Sequence, residues 1–233
     1  MDHKRIKVRN FDFVIVGAGS AGCVFADPTR EGGEKFILFF EGGSPRPYSW
    51  IHIPIGYAKT MKHPIYNWRF NTDPDPNLGG RSIYWPRGRT LGGSSSINGL
   101  IYIRGQKQDY DHWAQMGNKG WDWDSCLPYF KRLERNDLGA SETRGIDGPV
   151  WASTVPHDDE LMDAFIEAAN TIGIRRTDDF NDGLQEGVGY YQLTTQNGLR
   201  CSTAASYLKR ARGRKNLTIE TDTLVSRILF DGK

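Results

Sequence analysis

The sequence predicts an α/β fold built around a parallel sheet, on the basis of two short apolar runs separated by a glycine turn. The run at 13–16 ends in glycine, and the run at 36–40 ends in an acidic residue and two more glycines. The stretch at 20–26, between the two runs, is typical of the start of a helix. Strand, helix and strand in this order form a βαβ unit with parallel strands, and short apolar runs of this kind predict that both strands are buried. We therefore expect a Rossmann-like domain near the N-terminal end.

The remaining elements are expected to be short. We predict helices at 109–116, 124–133, 158–172 and 202–208, with Asp124 as the cap of the second, and strands at 217–221 and 224–230. The stretch at 44–80 is expected to be an irregular connection. Together with the family resemblance described below, these elements suggest a dinucleotide-binding domain at 11–150, part of an interleaved substrate-side region at 151–215, and a return to the first domain at 216–233.

Composition places the chain among ordinary globular proteins. Its 233 residues include 30 basic and 28 acidic ones, so the net charge of +2 does not favour a nucleic acid or a membrane surface as partner. Three widely spaced cysteines predict neither a disulfide framework nor a Cys-x-x-Cys metal site, and they favour a cytoplasmic location, with peripheral membrane association left open. No apolar stretch approaches the roughly 18 residues of a transmembrane segment.

Gly17, Gly19 and Gly22 form the pattern Gly-x-Gly-x-x-Gly between the first strand and the helix. In dinucleotide-binding domains the first glycine allows a tight turn, the second lets the backbone approach a pyrophosphate, and the third lets helix and strand pack closely. Ser20 and Ala21 fall in the first helical turn, whose N–H groups attract phosphate. The pattern predicts a dinucleotide site, and its context makes a glycine turn in an unrelated protein the weaker interpretation.

Glu41 ends the second strand, 19 residues after Gly22, and Gly42 follows it. A carboxylate at this place is expected to accept hydrogen bonds from a ribose and to repel a 2′-phosphate, which disfavours NADP. Pro28 is unfavourable for a long helix after the glycine pattern, because a proline inside a helix costs about 3 kcal/mol. We therefore expect the first helix to end by Asp27 or to kink.

A second glycine cluster, at 85–98, is the most distinctive stretch of the chain. Its Gly92-Gly93 pair can approach a flat ligand, and the three serines at 94–96 offer hydroxyl groups to a phosphate or a flavin edge. Arg87 and Arg89 could neutralise a pyrophosphate. From composition alone, a serine-rich loop with two solvated arginines is the better interpretation.

The residues at 88–102 nevertheless resemble the first signature of the glucose–methanol–choline (GMC) oxidoreductase family. Arg104-Gly105, Trp113 and Gly120-Trp121 continue the family's pattern in order, and the block at 200–204 resembles a later part of it. The similarity runs from Phe11 to Lys233 and is greatest to the choline dehydrogenase-like subgroup. It corresponds to the N-terminal portion of the family.

This resemblance implies that the dinucleotide is FAD. It also implies a non-covalent cofactor, because Ile97 stands where some members tether FAD through a histidine. Together with the patterns above, it assigns cofactor binding to Gly17, Gly19, Ser20, Ala21, Gly22, Glu41, Gly42, Arg87, Leu91, Gly92, Gly93, Ser94, Asn98, Gly99, Leu100, Ile101 and Val225.

The resemblance further implies oxidation of a primary alcohol, choline-like or another, to an aldehyde by hydride transfer to the flavin. The family's catalytic histidine region has no counterpart among His3, His52, His63, His112 and His157, so we predict no catalytic residue. No pair of histidines has metal-ligand spacing, and no metal is predicted. The Asp-Gly hairpin signal at 231–232 lacks a returning strand, which suggests a truncated chain.

Three alternatives remain open. The first is a non-catalytic flavin-binding fragment, and the second is a hydroxynitrile lyase-like member that keeps FAD in a structural role. A nucleic-acid module, based on the basic run at 209–215, is more distant because a solvated helix end explains that run. The expected partner is a small-molecule alcohol, without nucleic acid, while the substrate's identity, the electron acceptor and the oligomeric state are left open.

Overall fold

The structure is a computed structural model that describes residues 9–26, 35–46, 48–156 and 159–231. Several residues named in the sequence analysis lie outside these ranges, among them His3, Asp27, Pro28, His157 and Gly232. The expected end or kink of the first helix at 27–28 therefore lies outside the described residues, as does the second residue of the Asp-Gly pair.

The regular elements are short and are numbered in chain order. The strands are β1 (Phe13–Val16), β2 (Ile37–Phe40), β3 (Phe70–Asn71), β4 (Tyr84–Trp85), β5 (Glu134–Asn136), β6 (Val150–Ala152), β7 (Thr195–Gln196), β8 (Leu199–Arg200) and β9 (Leu217–Glu220). The α-helices are α1 (Ser20–Phe25), α2 (Ser49–His52), α3 (Tyr57–Thr60), α4 (Lys107–Gln115), α5 (Trp123–Leu133), α6 (Glu160–Thr171) and α7 (Lys209–Ala211). Single helical turns of other types lie at Pro54–Gly56, Pro76–Leu78, Gly93–Ser96 and Ala204–Leu208.

The chain divides into two compact units. The first unit contains Met1–Ile51, Ile55–Asn98 and Ser202–Lys233, and the second contains His52–Pro54 and Gly99–Cys201. The first unit is therefore assembled from stretches that are distant in the sequence. The expected domains at 11–150, 151–215 and 216–233 have other bounds and stay a prediction.

The first unit is built on a parallel sheet in the order β1–β2–β9. Phe13 lies opposite Ile37, and Ile37 lies opposite Leu217. Strand β2 occupies the centre, where Phe39 is fully buried. The sheet and the helix after β1 confirm the predicted α/β, Rossmann-like class.

Strand β1 is parallel to β2, as expected, but the prediction that it is buried was wrong. Phe13, Val14 and Val16 each expose more than half of their surface. The reason is their position, because β1 lies at the edge of the sheet and pairs within the described chain on one side.

The second unit contains α4, α5 and α6 with the strand pairs β5–β6 and β7–β8. Helix α5 begins at Trp123 with Asp122 as its cap, since the Asp122 carboxylate accepts a hydrogen bond from the Ser125 N–H at 2.9 Å. The expected cap, Asp124, was therefore wrong by two residues. In α6 the cap is Asp159, and the side chains of Ile166 and Ala169 are buried.

Two further predictions differ from the structure. The stretch at 224–230, expected as a strand, forms no strand, because it has no ladder of hydrogen bonds with another described segment. The stretch at 44–80 is mostly irregular, as expected, but it contains the short helices α2 and α3. No helix in the described part of the chain has both the length and the apolar character needed to cross a membrane.

Candidate functional site

The two glycine segments of the sequence meet in the first unit. The Gly92 N–H donates a hydrogen bond to the Ala18 carbonyl at 2.7 Å. A Cβ atom on Gly93 would lie only 2.8 Å from the Cα atom of Gly19, and Gly93 has a left-handed φ of 53°. The two backbones therefore approach too closely for a side chain at Gly93. A backbone without side chains at this place is what a flat or extended ligand beside it would require.

The turn between β1 and α1 depends on two of its glycines. Gly17 has a φ of 95°, which glycine adopts readily, and its N–H donates to the Phe40 carbonyl at 2.7 Å. A Cβ atom on Gly22 would collide with the Gly17 carbonyl and would lie 3.5 Å from the Ile15 Cγ2 atom. The third glycine of the pattern thus permits close packing of α1 against the end of β1.

Glu41 joins this turn to the turn after β2. Its side chain is buried, with 5% of the residue exposed. The carboxylate accepts hydrogen bonds from the Ala18 N–H at 2.9 Å and from the Gly43 N–H at 2.8 Å. Burial raises the pKa of Glu41 from its ordinary value, although the two N–H groups and the charge of Arg89 oppose the rise. A carboxylate can accept about four hydrogen bonds, so Glu41 retains acceptor capacity beyond these two.

A cleft of about 230 Å³ opens between these segments. Six of the predicted cofactor-binding residues line it, namely Gly17, Gly19, Glu41, Gly42, Gly93 and Val225. The volume lies below the ~300–1,000 Å³ of pockets that enclose a drug-sized ligand. The cleft alone is therefore smaller than a pocket that encloses a whole ligand of that size.

The other predicted residues have different surroundings. Ser20, Ala21 and Gly22 form the first turn of α1, while Leu91, Gly92, Ser94 and Asn98 belong to the loop around Gly93. The Arg87 guanidinium donates to the Pro86 carbonyl and lies 5.1 Å from the ring centre of Trp85. Gly99, Leu100 and Ile101 are members of the second unit. Their assignment to the cofactor stays a prediction.

The hydroxyl groups expected to meet a phosphate or a flavin make hydrogen bonds within the loop. The Ser94 hydroxyl accepts from the Gly88 N–H at 3.1 Å. The Ser95 and Ser96 hydroxyls donate to the carbonyls of Gly92 and Leu91 at 2.6 and 2.7 Å. These contacts help to hold the loop in shape, and the assignment of Ser94 to the cofactor stays a prediction.

Six residues of the cleft were not predicted from the sequence: Val16, Phe40, Trp68, Gly88, Thr223 and Leu224. The rule that ligands bind at the carboxyl ends of parallel strands would have found some of them, because Val16 and Phe40 end β1 and β2. Thr223 and Leu224 follow β9, and the Thr223 N–H donates to the Glu41 carbonyl at 2.9 Å. Trp68 lies far from any glycine signal in the sequence.

The described histidines lie outside the cleft. His52 and His112 are exposed, and the ring of His63 packs 4.7 Å from Tyr48 and 4.9 Å from Tyr66, measured between ring centres. Within the described ranges, no group of three or more metal-ligating side chains comes together. We therefore assign no histidine and no metal to the cleft.

The chain is similar in sequence to known proteins. A sequence model described as GMC oxidoreductase matches residues 11–233. The mitochondrial choline dehydrogenase of Mus musculus is 43% identical over 229 residues, which are 95% of this chain and 38% of that protein. The oxygen-dependent choline dehydrogenase of Photobacterium profundum is 43% identical over 226 residues, which are 96% of this chain and 40% of that protein.

Solved structures are also similar to this chain. A pyridoxine 4-oxidase from Mesorbium loti has a TM-score of 0.88 and 35% identity, covering 96% of this chain and 44% of its own. An FAD-dependent oxidoreductase from Chaetomium thermophilum has a TM-score of 0.84 and 30% identity, covering 96% of this chain and 40% of its own. The chain therefore spans about two fifths of the length of these relatives.

Proposed function

Since this chain belongs to the GMC oxidoreductase family, we propose that it binds FAD and holds it for the oxidation of a primary alcohol to an aldehyde. Choline or a related compound is the proposed substrate class, which is supported by the names of the choline dehydrogenases that resemble the chain. The observation that carries the proposal is the buried Glu41 carboxylate at the end of β2, beside a cleft lined by the glycine backbone.

The arrangement around Glu41 fits the ADP half of FAD. The carboxylate has spare acceptor capacity for a ribose hydroxyl, and its charge disfavours a 2′-phosphate. Gly19 and Gly93 leave the backbone bare where a pyrophosphate would lie, since even a single Cβ atom on Gly93 would meet Gly19. When bound, FAD supplies an isoalloxazine ring that accepts a hydride. The residues of this chain bind and orient it, and we assign none of them a catalytic role.

The cofactor is proposed to be dissociable. Ile97, at the family's tethering position, is 2% exposed and carries no nucleophilic atom. A formate oxidase from Aspergillus oryzae that was studied for FAD modification matches the chain at 28% identity with a TM-score of 0.79, so the linkage merits a direct test. After acid precipitation, flavin absorbance should remain in the supernatant, and flavin retained in the washed pellet would contradict this part of the proposal.

Absorbance spectroscopy tests the proposed activity. The purified protein should show a flavin spectrum, and choline or another primary alcohol should bleach it under anaerobic conditions while an aldehyde forms. A flavin spectrum that no alcohol bleaches identifies a non-catalytic flavin-binding protein. Cyanohydrin cleavage without flavin reduction identifies a lyase. Failure to bind FAD at all overturns the proposal.

The basic run at 209–215 gives little support to a nucleic-acid function. Ala211 is buried, and the Arg214 guanidinium donates to the Ala26 carbonyl at 3.3 Å, so part of the run packs within the first unit. We retain a small-molecule alcohol as the proposed partner. The cytoplasmic location stays a prediction, and two of the relatives are described as mitochondrial.

A further inference from the structure

Helix α6 of the second unit carries an apolar stripe on its exposed surface. The stripe consists of Leu161, Phe165, Ala168 and Ile172, and Ile172 caps the C-terminal end of the helix. Leu161, Phe165 and Ile172 expose 75, 65 and 77% of their surfaces, and Ala168 is exposed as well. Their spacing of four, three and four residues places them on one side of an α-helix. An exposed apolar patch of this kind is typical of a surface that binds another protein.

The side of α6 that packs on its own unit is a different one. Ile166 and Ala169 are buried, and the Asp163 carboxylate accepts a hydrogen bond from the Tyr190 hydroxyl at 3.1 Å. At 3.6 residues per turn, these three helix positions lie about a third of a turn around the helix from the stripe. The stripe therefore faces away from the unit that anchors the helix, and a partner can cover it.

The stripe is complementary to a second copy of itself. In an antiparallel pair of α6 helices with a twofold axis at the middle of the stripe, Leu161 of one copy faces Ile172 of the other. Phe165 then faces Ala168, so a bulky ring meets a small methyl group, and alternation of this kind fills the space between packed helices. The spacing of four, three and four residues is also that of the core positions of a coiled coil.

The charges around the stripe fit the same antiparallel pairing. The acidic side chains in the middle of the helix, Asp163 and Glu167, lie on the side away from the stripe, so two stripes can approach without bringing these carboxylates together. Glu160 lies in the first turn, whereas the exposed Arg175 and Arg176 follow the end of the helix. In the antiparallel pair, the acidic start of one helix lies near the basic end of the other, and this attraction occurs twice.

We propose that the stripe of α6 is a self-association surface, through which two copies of this chain form an antiparallel, twofold-symmetric helix pair. This inference concerns the second unit and does not depend on the proposed binding of FAD. Four side chains from each copy are far fewer than the ~20–30 residues per partner of a stable interface. The dimer is therefore weak, with a Kd of about 10–100 µM, and it forms at high protein concentration.

Sedimentation velocity of the purified protein tests this surface over concentrations from well below to well above that Kd. The unaltered protein should change from monomer to dimer across the series. Phe165→Glu places an unpaired charge at the centre of the stripe and should raise the Kd at least tenfold, or about 1.4 kcal/mol. Tyr129→Glu is the matched control, because Tyr129 is an aromatic residue of similar exposure, 61%, on α5 of the same unit. This control should leave the Kd unchanged.

Cysteine cross-linking tests the antiparallel geometry. A mixture of the Leu161→Cys and Ile172→Cys proteins should form a disulfide-linked dimer with copper phenanthroline as oxidant, because these positions face each other. Either variant alone should form little linked dimer, since its two cysteines would lie at opposite ends of the helix pair. Cys23 and Cys201 are buried and Cys126 is half-buried, so the unaltered protein gives the background of this reaction.

Several results would overturn the inference. A monomer at every concentration would do so, as would a dimer whose Kd is the same in Phe165→Glu and in the unaltered protein. Equal weakening by Phe165→Glu and Tyr129→Glu would also count against the stripe. Ile172→Glu provides a second variant of the surface if Phe165→Glu fails to fold. Linkage of Leu161→Cys to itself but not to Ile172→Cys would overturn the antiparallel pairing. FAD binding, measured on the same samples, tests the proposed function separately.

Discussion

The two units of the molecule bury polar groups in opposite ways. In the second unit, the fully buried Glu134 carboxylate pairs with Arg104 and Arg144, and Arg144 also pairs with Asp179. In the first unit, the polar groups around the cleft are mainly backbone amides and carbonyls of glycines, and Glu41 is the buried carboxylate among them. A buried charge alone therefore does not distinguish a ligand site from a structural network.

The number of hydrogen bonds that each carboxylate accepts makes the distinction. Glu134 accepts from the Arg144 guanidinium at 2.8 Å, the Asn136 side-chain amide at 2.7 Å, the Gly145 N–H at 3.1 Å and the Arg104 guanidinium. These four contacts use the acceptor capacity of a carboxylate. Glu41 accepts two in the described chain. The saturated carboxylate holds the fold, whereas the unsaturated one can meet a ligand.

Removal of the saturated carboxylate should give the largest effect. Glu134→Ala leaves the buried Arg104 and Arg144 without their shared partner, and it should lower the free energy of unfolding by about 3–5 kcal/mol. Urea denaturation measures this change. The exposed ion pair of Lys107 and Asp124, at 3.6 Å, offers a control, since Asp124→Ala should cost at most about 1 kcal/mol.

The contrast between the two units also predicts how Glu134→Ala binds FAD. Folded Glu134→Ala should bind FAD within about twofold of the unaltered protein, because neither Glu134 nor its two arginine partners line the cleft and independent sites change each other by less than about 0.5 kcal/mol. Calorimetric titration in the absence of denaturant measures it. A large loss of FAD affinity would show that the network of the second unit acts on the cofactor, and the contrast between the units would fail.

In the first unit, the glycine backbone should be the sensitive part. Gly22→Ala places a methyl group against the Gly17 carbonyl, so α1 must move away from β1. We expect a loss of about 1–3 kcal/mol in stability, as for other overpacked sites, and a loss of FAD affinity measured by fluorescence titration. Gly213→Ala is the matched control, since its methyl group would meet no atom within 4 Å. Similar effects in both variants would contradict a specific role for Gly22.

The unsaturated carboxylate should give a smaller effect that depends on pH. Glu41→Gln should raise the Kd for FAD about tenfold, or ~1.4 kcal/mol, through loss of a charge-assisted hydrogen bond to the ribose. Burial raises the pKa of Glu41 in the folded protein above 4.5. FAD affinity of the unaltered protein should therefore weaken as the pH falls through that raised pKa, and the Gln variant should lack this dependence.

The stability of the flavin-free protein should change in the opposite direction. Because the folded state holds the proton of Glu41 more tightly than the unfolded state, Glu41 contributes less stability as the pH rises from 4.5 toward the raised pKa. Denaturation across this window, compared with Glu41→Gln, measures it. Glu220→Gln is the control, since Glu220 ends the neighbouring strand and pairs with Arg9 near the surface.

One outcome would contradict the prediction about FAD affinity. An equal pH dependence of FAD binding in Glu41→Gln and the unaltered protein would exclude Glu41 as the source of that dependence.

Local sequence signals were sufficient for the parts of this site that lie next to one another in the chain. The βαβ order, the three glycines and Glu41 follow from spacing within about 30 residues, and the structure joins Glu41 to Ala18 directly. Trp68 could not be found in this way, because its own segment carries no dinucleotide signal and reaches Gly42 through backbone pairing with the segment at 87–89. Contacts of this kind depend on tertiary structure and leave no short pattern.

The wrong predictions of the α5 cap and of a strand at 224–230 have related causes. Asp122 and Asp124 are equally good caps by residue type; in the structure Asp122 is the cap, and the Asp111 carboxylate accepts a hydrogen bond from the Trp123 N–H at 3.0 Å. The stretch at 224–230 has the apolar composition of a strand, but a strand also needs a partner to share its hydrogen bonds. Composition therefore predicted where helices and strands could form. Whether they form there depends on contacts with residues that are distant in the sequence.

The smallest expected effect tests whether the serines of the second glycine cluster serve the loop or the ligand. The Ser95 hydroxyl donates to the Gly92 carbonyl at 2.6 Å and lies 3.0 Å from the Thr203 hydroxyl. Ser95→Ala should therefore lower stability by about 1 kcal/mol, as measured by urea denaturation, and should leave the FAD affinity unchanged. Ser82→Ala, which removes a similar hydroxyl-to-carbonyl contact on the exposed hairpin, should cost less. A tenfold weaker affinity for FAD in Ser95→Ala, with stability intact, would place this hydroxyl on the phosphates, and the cleft would then bind its ligand through side chains as well as backbone.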